Sequence, residues 1–561
     1  MTRRQELGTW VTAIGLLLAG CATPGHKPGE PTESSPATSE KVDQRQVEAH
    51  AHYAQALILD MENRPEEALE EYSKAALADP SNEDLVEELT HRYLQQKQPE
   101  KALEVLSKAS SRPGATGAVF AQLGMVYSRL GKETEAIQAE NTAIRKSPKL
   151  LSGYQNLCII HLQGSRSKEA LKVLDDALKV PDTDLEFLTG LGGLYVSLER
   201  QAPSLKESTR AGGLAAFNRA AKLSSSDPQT SMKLADGYGA LGDTTNASRI
   251  YLDLLERYGE LPLLRADLHS KLADIYLRGH DPKKATEQLE AIVQDDPSNA
   301  QAYYLLGAAA YDQRRLPEAV RHFQKSLLLN DDFEQAYYDL AGAQIALSQP
   351  KDALATLDRA RGKFARSFLG EYLAAVAGVR LKDFTNAVSH FTSAESLARA
   401  SEPERLNAEF YFETGAAQER KGDFDQAEQY FEKSLKLSPQ NAEALNYYGY
   451  MLADRGVKLE KARDMIDKAV KQEPDNAAFV DSLGWVLFKL GKPEEALPHI
   501  KKALDLSGDP DATIYDHLGD IYSALKQPDK ATEAWRKSLS IEPNDDIRRK
   551  LERNSGEKTM R

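Results

Sequence analysis

The chain has 561 residues, 41% hydrophobic, 28% charged and 7% aromatic, with two cysteines and a net charge of −14 from 85 acids against 71 bases. The hydrophobic fraction suits a packed protein rather than a disordered one, and two cysteines can build neither a disulfide framework nor a four-cysteine zinc site. The acid excess argues against a general nucleic-acid binder, which needs a basic face, and a mean hydropathy of −0.52 excludes a polytopic membrane protein.

The first element in chain order is an address. Arg3 and Arg4 give a positive start, and the mostly apolar run from Thr9 to Ala19 is too short to span a bilayer comfortably. It ends in Leu18-Ala19-Gly20-Cys21, which resembles the bacterial lipobox. That resemblance implies cleavage between Gly20 and Cys21, leaving residues 1–20 as a signal peptide and placing a diacylglycerol on the Cys21 sulfur. Several acyl chains on one cysteine anchor a protein stably, since each buried methylene contributes about 0.8 kcal/mol. Ala22 stands where an Asp would mark inner-membrane retention in enteric bacteria, so the expected location is the outer membrane, facing the periplasm. Cleavage takes the net charge from −14 to −15. Residues 21–48 are rich in Pro, Ser, Thr, Gly and Glu, bury too little to fold, and read as a tether.

From residue 49 one pattern recurs. Ala68, Ala102, Ala136 and Ala170 are 34 residues apart, and the same phase continues through Ala247, Ala285, Ala319, Ala353, Ala387, Ala427, Ala462, Ala496 and Ala531. Twelve residues earlier stands a small residue, such as Gly124, Cys158, Ala273, Gly307, Gly415 or Gly519. Four residues later comes a large one, as in Tyr72, Leu106, Leu174, Phe323, Phe431 and Trp535. Pairs such as Gly131-Lys132, Asp281-Pro282 and Gly422-Asp423 break the middle of each unit, while Asp79-Pro80-Ser81-Asn82 and Asp296-Pro297-Ser298-Asn299 read as stop-then-cap signals.

This pattern resembles the tetratricopeptide repeat, a 34-residue helix–turn–helix unit. The resemblance implies an all-α, right-handed superhelical solenoid of about fourteen units over residues 49–545, starting near 49, 83, 117, 151, 185, 228, 266, 300, 334, 368, 408, 442, 477 and 512. Three interruptions are expected: an insertion at 200–212, about four extra residues at 260–263 and six at 402–407. Residues 546–561 are expected to form a capping helix that frays into a charged tail.

The search for chemistry returns no phosphate loop, no H-E-x-x-H and no G-x-S-x-G elbow, so neither a cofactor nor a catalytic residue is assigned, and the reading is of a protein that is not an enzyme. Cys158 fills a small-residue slot and reads as a buried structural thiol. His322, His390 and His499 share one phase but lie two or more units apart, too far to share a metal, and read as solvated-face residues. The carboxylates likewise read as helix-surface groups.

The resemblance further implies that the first helix of each unit lines a groove, with its fifth and ninth residues turned inward. The fifth position holds Tyr304, Tyr338, Tyr372 and Phe412 in four successive units, Tyr450 and Trp485 follow at the ninth, and Phe488 sits beyond Trp485. These rings either fill space between helices or form a ladder of exposed rungs for a protein segment or a glycan chain. Asn446 is the one residue that matches a carboxylate-clamp position, so recognition of a free carboxylate is not expected. The expected function is a membrane-anchored scaffold for protein–protein interactions in bacterial envelope assembly. The rivals are a glycan-binding accessory of polysaccharide export and, more remotely, an enzyme with its site in the 200–212 insertion.

Overall fold

The computed structural model describes residues 44–223 and 227–559, so Gly20, Cys21 and most of the tether lie outside the described residues. Residues 44–48, expected in the tether, are helical and open the first helix, Gln44–Met61. Among the described residues there are twenty-nine α-helices and no strand. Twenty-eight of them form fourteen consecutive pairs, from Gln44–Met61 with Pro65–Ala78 to Ala512–Ala524 with Pro528–Ile541, and Asp545–Thr559 follows the last pair. In each pair the first helix is called A and the second B. The helices cluster into two bodies: one runs to Thr183 and takes in Leu198–Thr209, and the other holds Asp184–Ser197 and continues from Arg210.

Local chemistry starts and stops these helices. Asn82 and Asn299 cap as their sequence context predicts, their side-chain oxygens accepting from the backbone N–H of Leu85 at 3.1 Å and of Ala302 at 2.9 Å. Pro65, Pro99, Pro350, Pro493 and Pro528 open B helices, where a missing N–H costs nothing. In most units the chain reverses between A and B through a residue with positive φ. Gly131, Gly242, Gly422, Gly456 and Gly491 supply it in five units, but Arg314, Ser348 and Lys382 adopt φ near 60° in others. A side chain there costs on the order of 1 kcal/mol. Lys382 is exposed, so Lys382→Gly is expected to stabilise the protein by up to about 1 kcal/mol, read as a raised urea midpoint with an unchanged slope.

All thirteen alanines of the repeated phase are fully buried, at 0% exposure. They let A and B approach closely, and a large side chain one turn later fills the space beside them. A Cβ at Gly307 would stand 2.6 Å from the Phe323 ring, and one at Gly415 2.8 Å from Phe431. Glycine at these A positions and a ring on B are therefore one packing device. Each fully buried ring contributes on the order of 2–3 kcal/mol.

One unit departs from this device. Where Leu106 and Leu174 fill the gap in flanking units, Glu140 occupies it, fully buried against Gly124. Neither carboxyl oxygen has a hydrogen-bond partner. Burial pushes its pKa up to about 9, only partly offset by the nearby Asn156 amide, which donates to the Ala121 carbonyl. The side chain therefore carries its proton at neutral pH.

The interruptions are absorbed as helix. In the insertion, helix Leu185–Gln201 runs on, a 3-10 turn covers Pro203–Leu205, and helix Lys206–Ala220 follows. The ring that meets Gly192 is Phe217, twenty-five positions on, where the regular interval from Gly307 to Phe323 is sixteen. The residues near 260 lengthen the next A helix, Pro262–Arg278. Those near 402 extend helix Phe384–Ser401, add a turn at Pro403–Arg405 and end in Asn407, whose side chain caps the following helix by accepting from Phe410 N–H at 2.9 Å.

Candidate functional site

The A helices of successive units touch side by side and form a continuous face within each body. In the second body, polar bonds spaced about one unit apart stitch this face together. Tyr304 donates its hydroxyl to Asp339 at 2.7 Å, Tyr447 to Glu419 at 3.1 Å, and Lys489 donates to the Asp454 carbonyl at 3.0 Å. At its end, Lys550 of helix Asp545–Thr559 donates to Asp516 and Asp520, each at 2.7 Å.

The aromatic residues lie on this face, but not as exposed rungs. Tyr338 and Trp485 are buried, and Tyr304, Tyr372, Phe412, Tyr450 and Phe488 are half-buried. Their rings meet other rings of the core. Tyr304 lies 4.5 Å from Phe333, Tyr372 stacks on Phe368 at 5.7 Å, and Phe412 meets Tyr447 at 5.5 Å. Tyr338 donates to Glu334 at 2.8 Å and accepts from Ser367 at 2.9 Å. Burial, reinforced by Asp339 and Glu413, pushes the Tyr304 and Tyr372 phenols well above their ordinary pKa, so both remain donors. Of the two readings, packing between helices is favoured for Tyr304, Tyr372 and Phe412, each of which meets a ring of the next helix, since covering a ring there removes its apolar surface from water.

What the face does present is two hollows. The smaller, about 300 Å³, has an apolar wall of Ala308, Phe323 and Leu369, with Tyr311 40% exposed at its edge and Asp312 and Asp339 on its rim. A Cβ on Gly342 would meet nothing there. The larger, about 700 Å³, lies over Tyr450 and Trp485 and is rimmed by Asp454, Asp516, Asp520 and Lys550. Burial raises the pKa of Asp520 despite the opposing effect of Lys550.

Beneath the larger hollow is an arrangement that the repeat pattern does not predict. His517 is buried with its Nδ1 3.0 Å from both oxygens of buried Asp481, and its ring stacks on Trp485 at 3.9 Å and 15°. Asp481 and His517 sit 36 residues apart, at neighbouring phases of adjacent units, and that interval is the only signal the sequence carries. The pair fixes the imidazole, and the imidazole fixes the indole plane.

Other side chains also differ from expectation. His322, His390 and His499 are half-buried rather than solvated. His390 bonds Glu371 at 2.7 Å, His322 stacks on Tyr303, and burial lowers the pKa of His322 and His499. Carboxylates are not confined to helix surfaces, since Glu140, Glu371, Glu395 and Asp481 are all buried. Cys158 is buried and free, as its slot predicts, and burial pushes its thiol up to about 12. Among the described residues, no three His, Cys, Asp or Glu side chains are placed to hold a metal ion.

Three family models, each described as a tetratricopeptide repeat, match residues 257–460, 455–513 and 512–545, and together they span more than half of the sequence. The chain belongs to the tetratricopeptide repeat family. Such arrays are typically non-enzymatic, and the repeats support a scaffold for protein–protein interaction. Mouse Superkiller complex protein 3 is 24% identical over 279 residues, which are 48% of this chain and 17% of that protein, so the chain spans less than a fifth of this curated relative. Among solved structures, the APC/C hetero-tetramer Cut9–Hcn1 is 17% identical, covering 84% of this chain and 96% of that one with a TM-score of 0.37. YrrB, described as a repeat protein with an unusual peptide-binding site, is 21% identical over 35% of this chain and 97% of its own, with a TM-score of 0.31.

Proposed function

We propose that this protein is a lipid-anchored scaffold that gathers partner proteins at the bacterial envelope, at the outer membrane and facing the periplasm. The observation that carries the binding half of this reading is the continuous face of A helices, with hollows at Tyr311 and Trp485 into which side chains of a partner fit. The engaged, half-buried rings favour a protein segment over a glycan chain, which stacks on exposed ring faces. The insertion that was the remaining candidate for a catalytic site extends two helices, with Thr209 buried and donating to the Leu205 carbonyl.

The anchoring half rests on Leu18-Ala19-Gly20-Cys21 behind a short apolar run. Among the described residues no helix is long and apolar enough to cross a membrane. The residues after Cys21, rich in Pro and Ser, act as a spacer, so that one attachment point carries a long binding face and raises the effective concentration of whatever it holds. Cys21→Ser is expected to move the protein from the membrane pellet to the soluble fraction after cell disruption. Retention in the pellet would defeat the anchor. Affinity capture from cross-linked envelopes is expected to recover defined protein partners, and capture of glycan without protein would defeat the scaffold reading.

A further inference from the structure

The first A helix, Gln44–Met61, shows to solvent a face that later A helices bury. In the repeat, the residues five before and two after the small residue of helix A meet the B helix of the preceding unit. A Cβ at Gly153 would stand 3.2 Å from Ile144, and one at Gly237 would run into the Phe217 ring, each on that preceding helix. In later units the pairs at these phases are buried, as Val119 with Val126, Ala302 with Ala309 and Ile514 with Ile521. Counted from Ala56, the same phases of the first helix are Ala51 and Ile58, and both are exposed. With Val47, Ala54 and Met61 they form one stripe at intervals of four, three, four and three residues. Val47 is 54% exposed, Ile58 49% and Met61 88%. Fourteen large apolar side chains are exposed among the described residues, and five of them lie on this helix, so the patch is concentrated rather than scattered.

The chain beside this face is not built to cover it. Residues 22–43 hold Pro24, Pro28, Pro31 and Pro36 and one large aliphatic residue, Val42, which is not the apolar phase of a B helix. The last pair of helices is finished differently. Helix Asp545–Thr559 lays Ile547 and Leu551 on the core and exposes Arg548, Arg549 and Glu552, a polar cap. Of its two ends, therefore, a second copy offers an apolar face only at its own first helix, and pairing through it is closed and isologous rather than head-to-tail. The stripe suits such a partner. Alternating intervals of three and four are the seam of paired helices, and Ala54 at its middle lets two backbones approach while Val47 and Met61 flank them. A lipid surface suits it less, since helices that lie on lipid are rich in Lys and Arg, and this one has a single arginine against Glu48 and Asp60.

We propose that two copies of this chain pair through the exposed stripes of their first helices, Ala54 against Ala54. The inference goes beyond the scaffold reading and stands on this helix alone. An 18-residue helix is about 27 Å long with a contact strip about 10 Å wide, well under the roughly 800 Å² per partner of a standard interface, so the pair is weak in dilute solution. Attachment of both copies to one membrane would raise their effective concentration and strengthen the pairing.

The test uses the full chain. Cys158 is buried, so Ala54→Cys places a reactive thiol on the stripe, and the parent chain, expected to give no linked species, is the control. In membranes under mild oxidation, Ala54→Cys is expected to give a disulfide-linked species of twice the chain mass. The yield is expected to be at least fivefold above that of Leu328→Cys, whose thiol is exposed on a B helix. In mild detergent the parent is expected to self-associate in the micromolar range by sedimentation equilibrium. Ile58→Glu with Met61→Glu is expected to weaken that association at least tenfold with unchanged helical signal, since both side chains are already exposed. A single-copy mass at every concentration, or a double variant that associates like the parent, would overturn the proposal. Linkage of the introduced thiol to a protein of another size would assign the face to a different partner and overturn it too. Shielding of that thiol from a water-soluble maleimide in membranes, with no linked species, would assign the face to lipid with the same consequence. Envelope capture and the Cys21→Ser fractionation read the scaffold and the anchor separately, so failure here is distinguishable from failure there.

Discussion

Replacing Glu140 by leucine is expected to stabilise the first body by about 3 kcal/mol at pH 7 and by less than 1 kcal/mol at pH 5, apart from any gain in packing. The folded protein holds the Glu140 proton up to a pKa of about 9, whereas an ordinary glutamate titrates near 4.5. Between these values the folded state binds a proton that the unfolded chain releases, so the contribution of this group to stability falls as pH rises. It is most favourable below about 4.5, declines across the window by about 1.4 kcal/mol per pH unit, and is flat above about 9. Leucine is the side chain at the same position in both flanking units, where Leu106 and Leu174 are fully buried. Glu140→Gln separates the two components: it removes the titration but leaves a buried polar group, so it is expected to abolish the pH dependence with a smaller gain. Thermal melts of the three proteins at pH 5, 6, 7 and 8 check this, and parallel stability curves for parent and leucine variant would refute it.

Substituting Tyr304, Tyr338 and Tyr372 together by alanine is expected to unfold the region around residues 300–421. Each ring packs between consecutive helices, and truncation costs about 2–4 kcal/mol, so the three together approach the stability of a whole domain. Repeat arrays couple mainly to nearest neighbours, so the loss is local and the flanking units persist. The expected readout is partial loss of helical circular dichroism at 25 °C with new proteolytic cleavage in this region. Replacing the same three by phenylalanine removes the hydroxyl bonds of Tyr304 to Asp339 and of Tyr338 to Glu334 and keeps the rings. It is expected to cost about 1 kcal/mol per site and leave the fold intact. An alanine triple variant that melts like the parent would return these rings to the partner-binding surface.

These two cases mark how far the repeat pattern could be read. The phase that predicts thirteen buried alanines holds without exception, because a helix pair at close distance tolerates only small side chains there, whatever surrounds it. Glu140 stands at the same phase as Leu106 and Leu174, where a charged residue breaks the expected type, and that 34-residue alignment is the signal the sequence carries for it. Helix caps at Asn82 and Asn299 were legible because capping is decided within three residues. Positive φ at Lys382 and Arg314 was not, since neither is a residue that favours the left-handed region, and the reversal there is imposed by the helices on both sides.

The face of A helices was legible as a set of positions and not as a surface. Whether a ring at the fifth or ninth residue of an A helix is exposed depends on the neighbouring unit. Phe333 covers Tyr304, His517 underlies Trp485, and Ser367 engages Tyr338. Those contacts cross from one repeat to the next, and a pattern confined to one repeat does not contain them.

Length, composition and the 34-residue period by themselves determined an all-helical array of fourteen pairs, because small-residue spacing and capping are local and repeat identically. Only the tertiary structure decided which polar groups are left without partners, which rings are covered and which carboxylates are buried. Those properties arise between units, where side chains from sequence positions 30 or more residues apart meet in a space partly closed to water.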